Sequence, residues 1–170
     1  MRMIFIYAVR SLFMVISLLL VPTLAVMAAP PEGYQFLPLN HAIKQASQEH
    51  KPMFLYFGRY GCSTCRKMHQ EVFSDQSIQA KYAEEFVLAY VDTESSNRIR
   101  LPNGERTTEM QYAARNRILG TPTFIYFAPD QKPVLKRAGF QTIEQMSQYS
   151  DFISQGHFKN SSLKEYLAQK

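Results

Sequence analysis

The sequence predicts an α/β fold, a central mixed sheet of about four strands flanked by helices, and three observations predict it. Two continuous apolar runs, Met53 to Phe57 and Phe86 to Asp92, are separated by helical pattern, the mark of a βαβ unit with parallel strands. Two further runs, Ile118 to Phe127 and Pro133 to Gly139, are joined by the turn Ala128-Pro129-Asp130-Gln131-Lys132 and read as an antiparallel hairpin. The two cysteines of the chain, Cys62 and Cys65, stand where the first strand breaks at glycines and re-enters as a helix.

The chain of 170 residues suits one domain with a short appendage. Arg2 and Arg10 precede the apolar stretch Ser11 to Val21, which ends at Pro22 and is followed by Ala25, Ala28 and Ala29. Val26-Met27-Ala28 fits a signal-peptidase site, so residues 1–28 read as a signal peptide and 29–170 as the mature domain. Cleavage after Ala29 would leave Pro30 at the first mature position. The alternative is an uncleaved anchor, since Ile4 to Met27 could almost span a bilayer. With the leader go Arg2 and Arg10, which takes the net charge from +5 to +3. That mild and scattered excess does not argue for nucleic acid. Arg98, Arg100 and Arg106 fall together in one polar stretch, whose ordinary reading is a solvated loop.

Each element has a local reason. Leu39 to Glu49 reads as an extra N-terminal helix with Asn40 as its cap, and Leu39, Ile43 and Ala46 on the face that packs. His41 and His50 read as surface residues. The helix after the cysteines breaks near Ser74-Asp75, and Asp75 caps a second helix, Gln76 to Glu85. Thr93 to Thr107 is a polar insert after the second main strand, with a tight turn at Asn103-Gly104. Thr107 or Thr108 caps a helix to Arg117. Thr142 to Ile153 and Ser161 to about Gln169 are the last two helices, separated by Gly156, with Ser161 or Ser162 capping the second.

The spacing Cys62-Ser63-Thr64-Cys65 carries the chemistry. A helix N-terminus favours an anion, and this setting lowers a thiol pKa from about 8.5 to between roughly 3.5 and 7.5. Cys65, one turn on, lies within disulfide reach. Three blander uses compete with a working dithiol. A structural staple closing so short a loop contributes less than about 2 kcal/mol. Zinc would want more ligands than one cysteine pair and the nearby His69 supply. Haem attachment needs histidine after the second cysteine, where Arg66 stands.

In this order of elements the chain resembles the thioredoxin superfamily over about Met53 to Ile153. The C-x-x-C motif after a strand and the run Gly120-Thr121-Pro122-Thr123-Phe124 carry the likeness. Cys65-Arg66-Lys67-Met68, the Val72-Phe73-Ser74-Asp75 break, the polar insert and Arg117-Ile118-Leu119-Gly120 look most like exported SoxW-type thioredoxins. The resemblance implies a thioredoxin-like fold and an exported thiol–disulfide oxidoreductase, reducing client disulfides through Cys62 and Cys65 with electrons from a membrane thiol donor. It implies a cis Pro122 beside the disulfide, Thr121 offering its backbone to a substrate strand, and Gly139 leaving room for that substrate. No cofactor or metal is expected. Gly61 stands where the family has tryptophan, and Tyr56 where it has a buried acid that helps deprotonate the second cysteine. Cys65 then needs another base, such as water, Glu71 or Asp92. The competing class is a binding or assembly module whose Cys62–Cys65 bridge is inert.

Overall fold

The spine of the molecule is β1, Met53–Gly58, whose Met53 to Phe57 are all at most 1 % exposed. The computed structural model describes residues 30–169, so the signal segment assigned to residues 1–28 lies outside the described residues. A strand buried on both faces needs apolar side chains in succession, and Met53-Phe54-Leu55-Tyr56-Phe57 supplies them. β1 pairs in parallel with β2, Val87–Asp92, and antiparallel with β5, Thr123–Phe127. β6, Pro133–Ala138, completes the sheet in the order β2-β1-β5-β6.

Alternate residues of β1 serve different layers. Phe54 and Tyr56 join Met68, Phe73, Ile78, Tyr82, Phe124, Tyr126 and Met146 in one cluster. That cluster is closed by α2, Ser63–Glu71, by α3, Gln76–Glu85, and by α5, Ile143–Ser154. Met53, Leu55 and Phe57 face the other way, toward Leu39, Ala42 and Ala46 of α1, Leu39–Glu49, and Ala113 of α4, Glu109–Arg115. The first layer is rich in aromatic rings; Phe54 alone meets those of Phe73, Tyr82, Phe86, Phe124 and Tyr126. The thioredoxin-like α/β architecture expected from the order of elements, with its N-terminal helix and mixed four-strand sheet, is the architecture found.

Several ends differ from expectation. α1 begins at Leu39 with Pro38 at its cap position and no side-chain cap, so Asn40 is a residue of the first turn and not the N-cap. Pro38 has the extended ψ a cap requires, and its carbonyl accepts from the His41 and Ala42 N–H groups at 2.9 and 3.0 Å. α4 stops at Arg115, because Arg117 adopts a left-handed φ of +53° that ends the helical path. β5 starts only at Thr123, after the loop Ile118 to Pro122. Asp75 caps α3 as expected, accepting from the Ser77 and Ile78 N–H groups at 2.9 and 3.1 Å. Thr108, Thr142 and Ser162 build capping boxes at α4, α5 and α6, Leu163–Ala168. A short 3₁₀ turn, His157–Lys159, lies between the last two helices.

The polar insert folds as a two-stranded ribbon, β3, Arg98–Arg100, against β4, Arg106–Thr108. Gly104 takes φ +86° in its turn, and the Leu101 N–H donates to the Glu105 carbonyl at 2.8 Å. The root of the insert stays at the C-terminal end of the parallel pair. There Gly58 stands opposite Asp92, and the Thr93 N–H donates to the Gly58 carbonyl at 2.9 Å.

Candidate active site

The chain leaves β1 at Gly58, turns at Gly61 with φ +68°, and enters α2 with Cys62 as its N-cap. That φ is the left-handed conformation glycine adopts without the Cβ penalty. Cys62 and Cys65 form a disulfide with Cα atoms 5.2 Å apart. The Cys65 N–H donates to Cys62 Sγ at 3.0 Å, so this sulfur occupies the place where an N-cap oxygen would accept. In the dithiol state the same N–H would point at a Cys62 thiolate, together with the positive end of the helix.

Thr121 closes the other side. Its hydroxyl donates to Cys62 Sγ at 3.3 Å, and its carbonyl oxygen lies 3.4 Å from the same sulfur. The Thr121–Pro122 peptide bond is cis. The Pro122 carbonyl accepts from the Gly139 N–H at 2.8 Å, which ties the end of β6 to this loop. Gly139 has φ +81°, and a Cβ there would project into open space. The five residues singled out in the sequence are thus linked, Cys62 through Cys65 and Thr121, and Gly139 through Pro122. Cys62 is not broadly exposed: it keeps 8 % of its surface and Cys65 keeps 5 %, because Thr121 and the first turn of α2 cover them.

Comparison with known proteins comes to bear on this geometry. A family model described as thioredoxin-like domain matches residues 39–154. The chain belongs to the thioredoxin-like domain family. It is 27 % identical over 101 residues to the disulfide bond reductase DsbH of Chlamydia pneumoniae, covering 59 % of each chain. It is also 27 % identical over 115 residues to spermatogenesis-associated protein 20 of Homo sapiens, covering 61 % of this chain and 14 % of that one. The chain therefore spans less than two thirds of the length of either relative. Among solved structures, a thioredoxin-fold protein from Helicobacter pylori superposes with TM-score 0.63 at 21 % identity, over 71 % of this chain and 84 % of that one. That likeness is one of fold.

Sequence reasoning missed the group that stands behind the thioredoxin-like motif. The Tyr56 hydroxyl and His69 Nε2 are 3.0 Å apart, with Tyr56 fully buried in β1 and His69 half-buried on α2. His69 follows Cys65 by four positions, so the two share a helix face. Burial pushes the His69 pKa below the usual histidine range, and burial together with Tyr90 pushes the Tyr56 phenol far up. Both are therefore neutral near neutral pH. Gly58 makes space for the tyrosines, since a Cβ there would lie 2.8 Å from the Tyr90 hydroxyl and 3.2 Å from that of Tyr56. The two carboxylates considered from sequence are engaged elsewhere. Glu71 is exposed and faces Lys67 at 3.9 Å, and Asp92 accepts from the Glu94 N–H at 2.9 Å. The signal for His69 was present as a histidine one turn after the second cysteine; its partner Tyr56 is visible only once α2 packs on β1.

The rim carries two further residues. Tyr60, two positions before Cys62, is 59 % exposed, and Leu119, two before Thr121, is 99 % exposed. The Gly139 turn is held by buried Gln141, whose amide donates to the Ala138, Gly139 and Phe140 carbonyls at 2.9–3.2 Å. The Tyr149 hydroxyl donates to the other end of that amide at 3.0 Å. Among the described residues no cluster of three or more histidine, cysteine or acidic side chains could hold a metal ion, and no helix is long and apolar enough to cross a membrane.

Proposed function

We propose that this chain is a thiol–disulfide oxidoreductase that reduces disulfides of client polypeptides. The observation that carries the reading is the disulfide at the N-terminus of α2, with the Cys65 N–H and the Thr121 hydroxyl both directed at Cys62 Sγ. In the reduced protein those donors hold Cys62 as a thiolate. It attacks one sulfur of a client disulfide and releases the other client sulfur as a thiolate. The Cys65 thiol then gives its proton to His69, and its sulfur attacks Cys62 Sγ and expels the second client thiolate. The client gains two electrons and the protein ends as the Cys62–Cys65 disulfide. His69 accepts the proton on Nδ1 in the tautomer whose Nε2–H donates to the Tyr56 oxygen. The client backbone lies along Thr121, and Tyr60 and Leu119 offer it apolar contact.

The apolar leader, the likeness to DsbH and the SoxW-type run around Cys65 support an exported protein of the bacterial periplasm, recharged by a membrane thiol donor. The test is insulin reduction with dithiothreitol as electron source. The protein accelerates it, and Cys62→Ser lowers the rate to the uncatalysed background. Full activity in that variant, or a bridge that dithiothreitol leaves closed, would favour the inert module instead.

A further inference from the structure

Away from the disulfide, the β3–β4 ribbon presents an uncompensated cationic face. Burial alternates along both strands. Thr107 is buried and Ile99 packs against the core, whereas Arg98, Arg100 and Arg106 are exposed. Arg100 stands directly opposite Arg106, and Arg98 opposite Thr108, so the three guanidiniums rise from one face. Together with Thr107, Thr108 and Gln111 they line an open cavity of about 480 Å³ that contains no carboxylate. Among the described residues none of the three enters an ion pair, while neighbouring Glu105 is taken by Arg115. Like charges directly opposite across a ribbon are destabilising, and no ion pair among the described residues offsets them.

We infer that the outer face of the β3–β4 ribbon is a docking site for an acidic, extended polypeptide segment. The spacing argues for an extended chain. Arg98 and Arg100 are two residues apart on one strand, roughly 6.8 Å, which is also the spacing of alternate side chains in an extended peptide. Acidic residues at alternate positions therefore meet successive arginines. Position argues for a partner that also visits the disulfide. The root of the ribbon is tied to the end of β1 from which the Cys62 loop departs, through Thr93 N–H to Gly58 and the Arg59–Glu94 ion pair at 3.2 Å. That the anion is borne by a polypeptide rests on the thiol–disulfide reading; a net charge of only +3 without the leader does not favour nucleic acid.

The experiment is fluorescence anisotropy of the full chain with a labelled cysteine-free decapeptide of alternating glutamate and serine. A lysine–serine peptide and a single-stranded DNA of equal charge are the comparisons. The expected result is binding of the acidic peptide alone, weakening as salt rises. Arg98→Gln with Arg100→Gln and Arg106→Gln weakens it about tenfold. Arg100→Gln alone weakens it less and leaves the melting temperature unchanged or higher, because it removes the Arg100–Arg106 repulsion. Unchanged binding in the triple variant, or a lower melting temperature for Arg100→Gln, would overturn the inference. Tighter binding of the DNA would overturn its polypeptide assignment. Because the peptide has no cysteine, a failure here with insulin reduction intact sinks the docking site alone, and the reverse outcome sinks the redox reading alone.

Discussion

The two sulfurs of the disulfide are three residues apart in sequence and meet different surroundings. Cys62 Sγ faces a backbone N–H, a hydroxyl donor and the start of a helix. Among the described residues, none of those donors reaches Cys65 Sγ, which sits one turn inside α2 on the face that also carries His69. One C-x-x-C motif thus gives its two sulfurs different surroundings, which in the proposed mechanism make Cys62 the anion and Cys65 the group that gives its proton to His69. The difference comes from position on the helix rather than from residue type. An N-cap atom collects the orphan N–H groups, and an atom one turn later does not.

The largest expected effect comes from the Cys65 side. His69→Gln should slow release of a preformed mixed disulfide by about a hundredfold and remove the part of its pH dependence that lies below the ordinary histidine range, with Cys62 attack unchanged. Stopped-flow measurement of both steps checks this, and equal slowing of the two would collapse the distinction between the sulfurs. The same residue gives a stability signature. His69 titrates lower in the folded chain than in the unfolded one, so the unfolded state binds more protons as pH falls through the ordinary histidine range near 6.5. Stability should therefore decline below about pH 6.5, and His69→Gln should flatten that decline in urea melts at a series of pH values.

A smaller change is expected on the Cys62 side. Thr121→Val removes one of two donors to Cys62 Sγ. A hydrogen bond to a charged acceptor contributes about 1.5–3 kcal/mol, so the Cys62 thiol pKa should rise by about one unit or somewhat more. Thiolate absorbance against pH in the reduced protein measures it. No shift would mean that the helix N-terminus alone stabilises the anion.

Much of this arrangement was legible in the residues. The apolar runs of β1 and β2 and the Asp75 and Ser162 caps are local signals, and they land where their chemistry places them. The loop ends were harder. Asn40 is a good cap by residue type, yet the chain turns two residues earlier because Pro38 already has the required backbone angles. The Tyr56–His69 contact joins residues thirteen positions apart, and nothing in either one's neighbourhood announces it. Arg98, Arg100 and Arg106 read as a solvated loop in sequence, because their common face exists only once the ribbon register sets Arg100 against Arg106. The narrow opening at Cys62 is likewise a product of Thr121, fifty-nine residues away.

Alkylation of the dithiothreitol-reduced protein by iodoacetamide across pH, with each modified cysteine located by peptide mapping, tests the central claim most directly. The account predicts that Cys62 reacts first, with a midpoint below about 7.5, and that Cys65 follows only toward about 8.5 or above. Equal rates with a shared midpoint near 8.5, or Cys65 reacting ahead of Cys62, would contradict it.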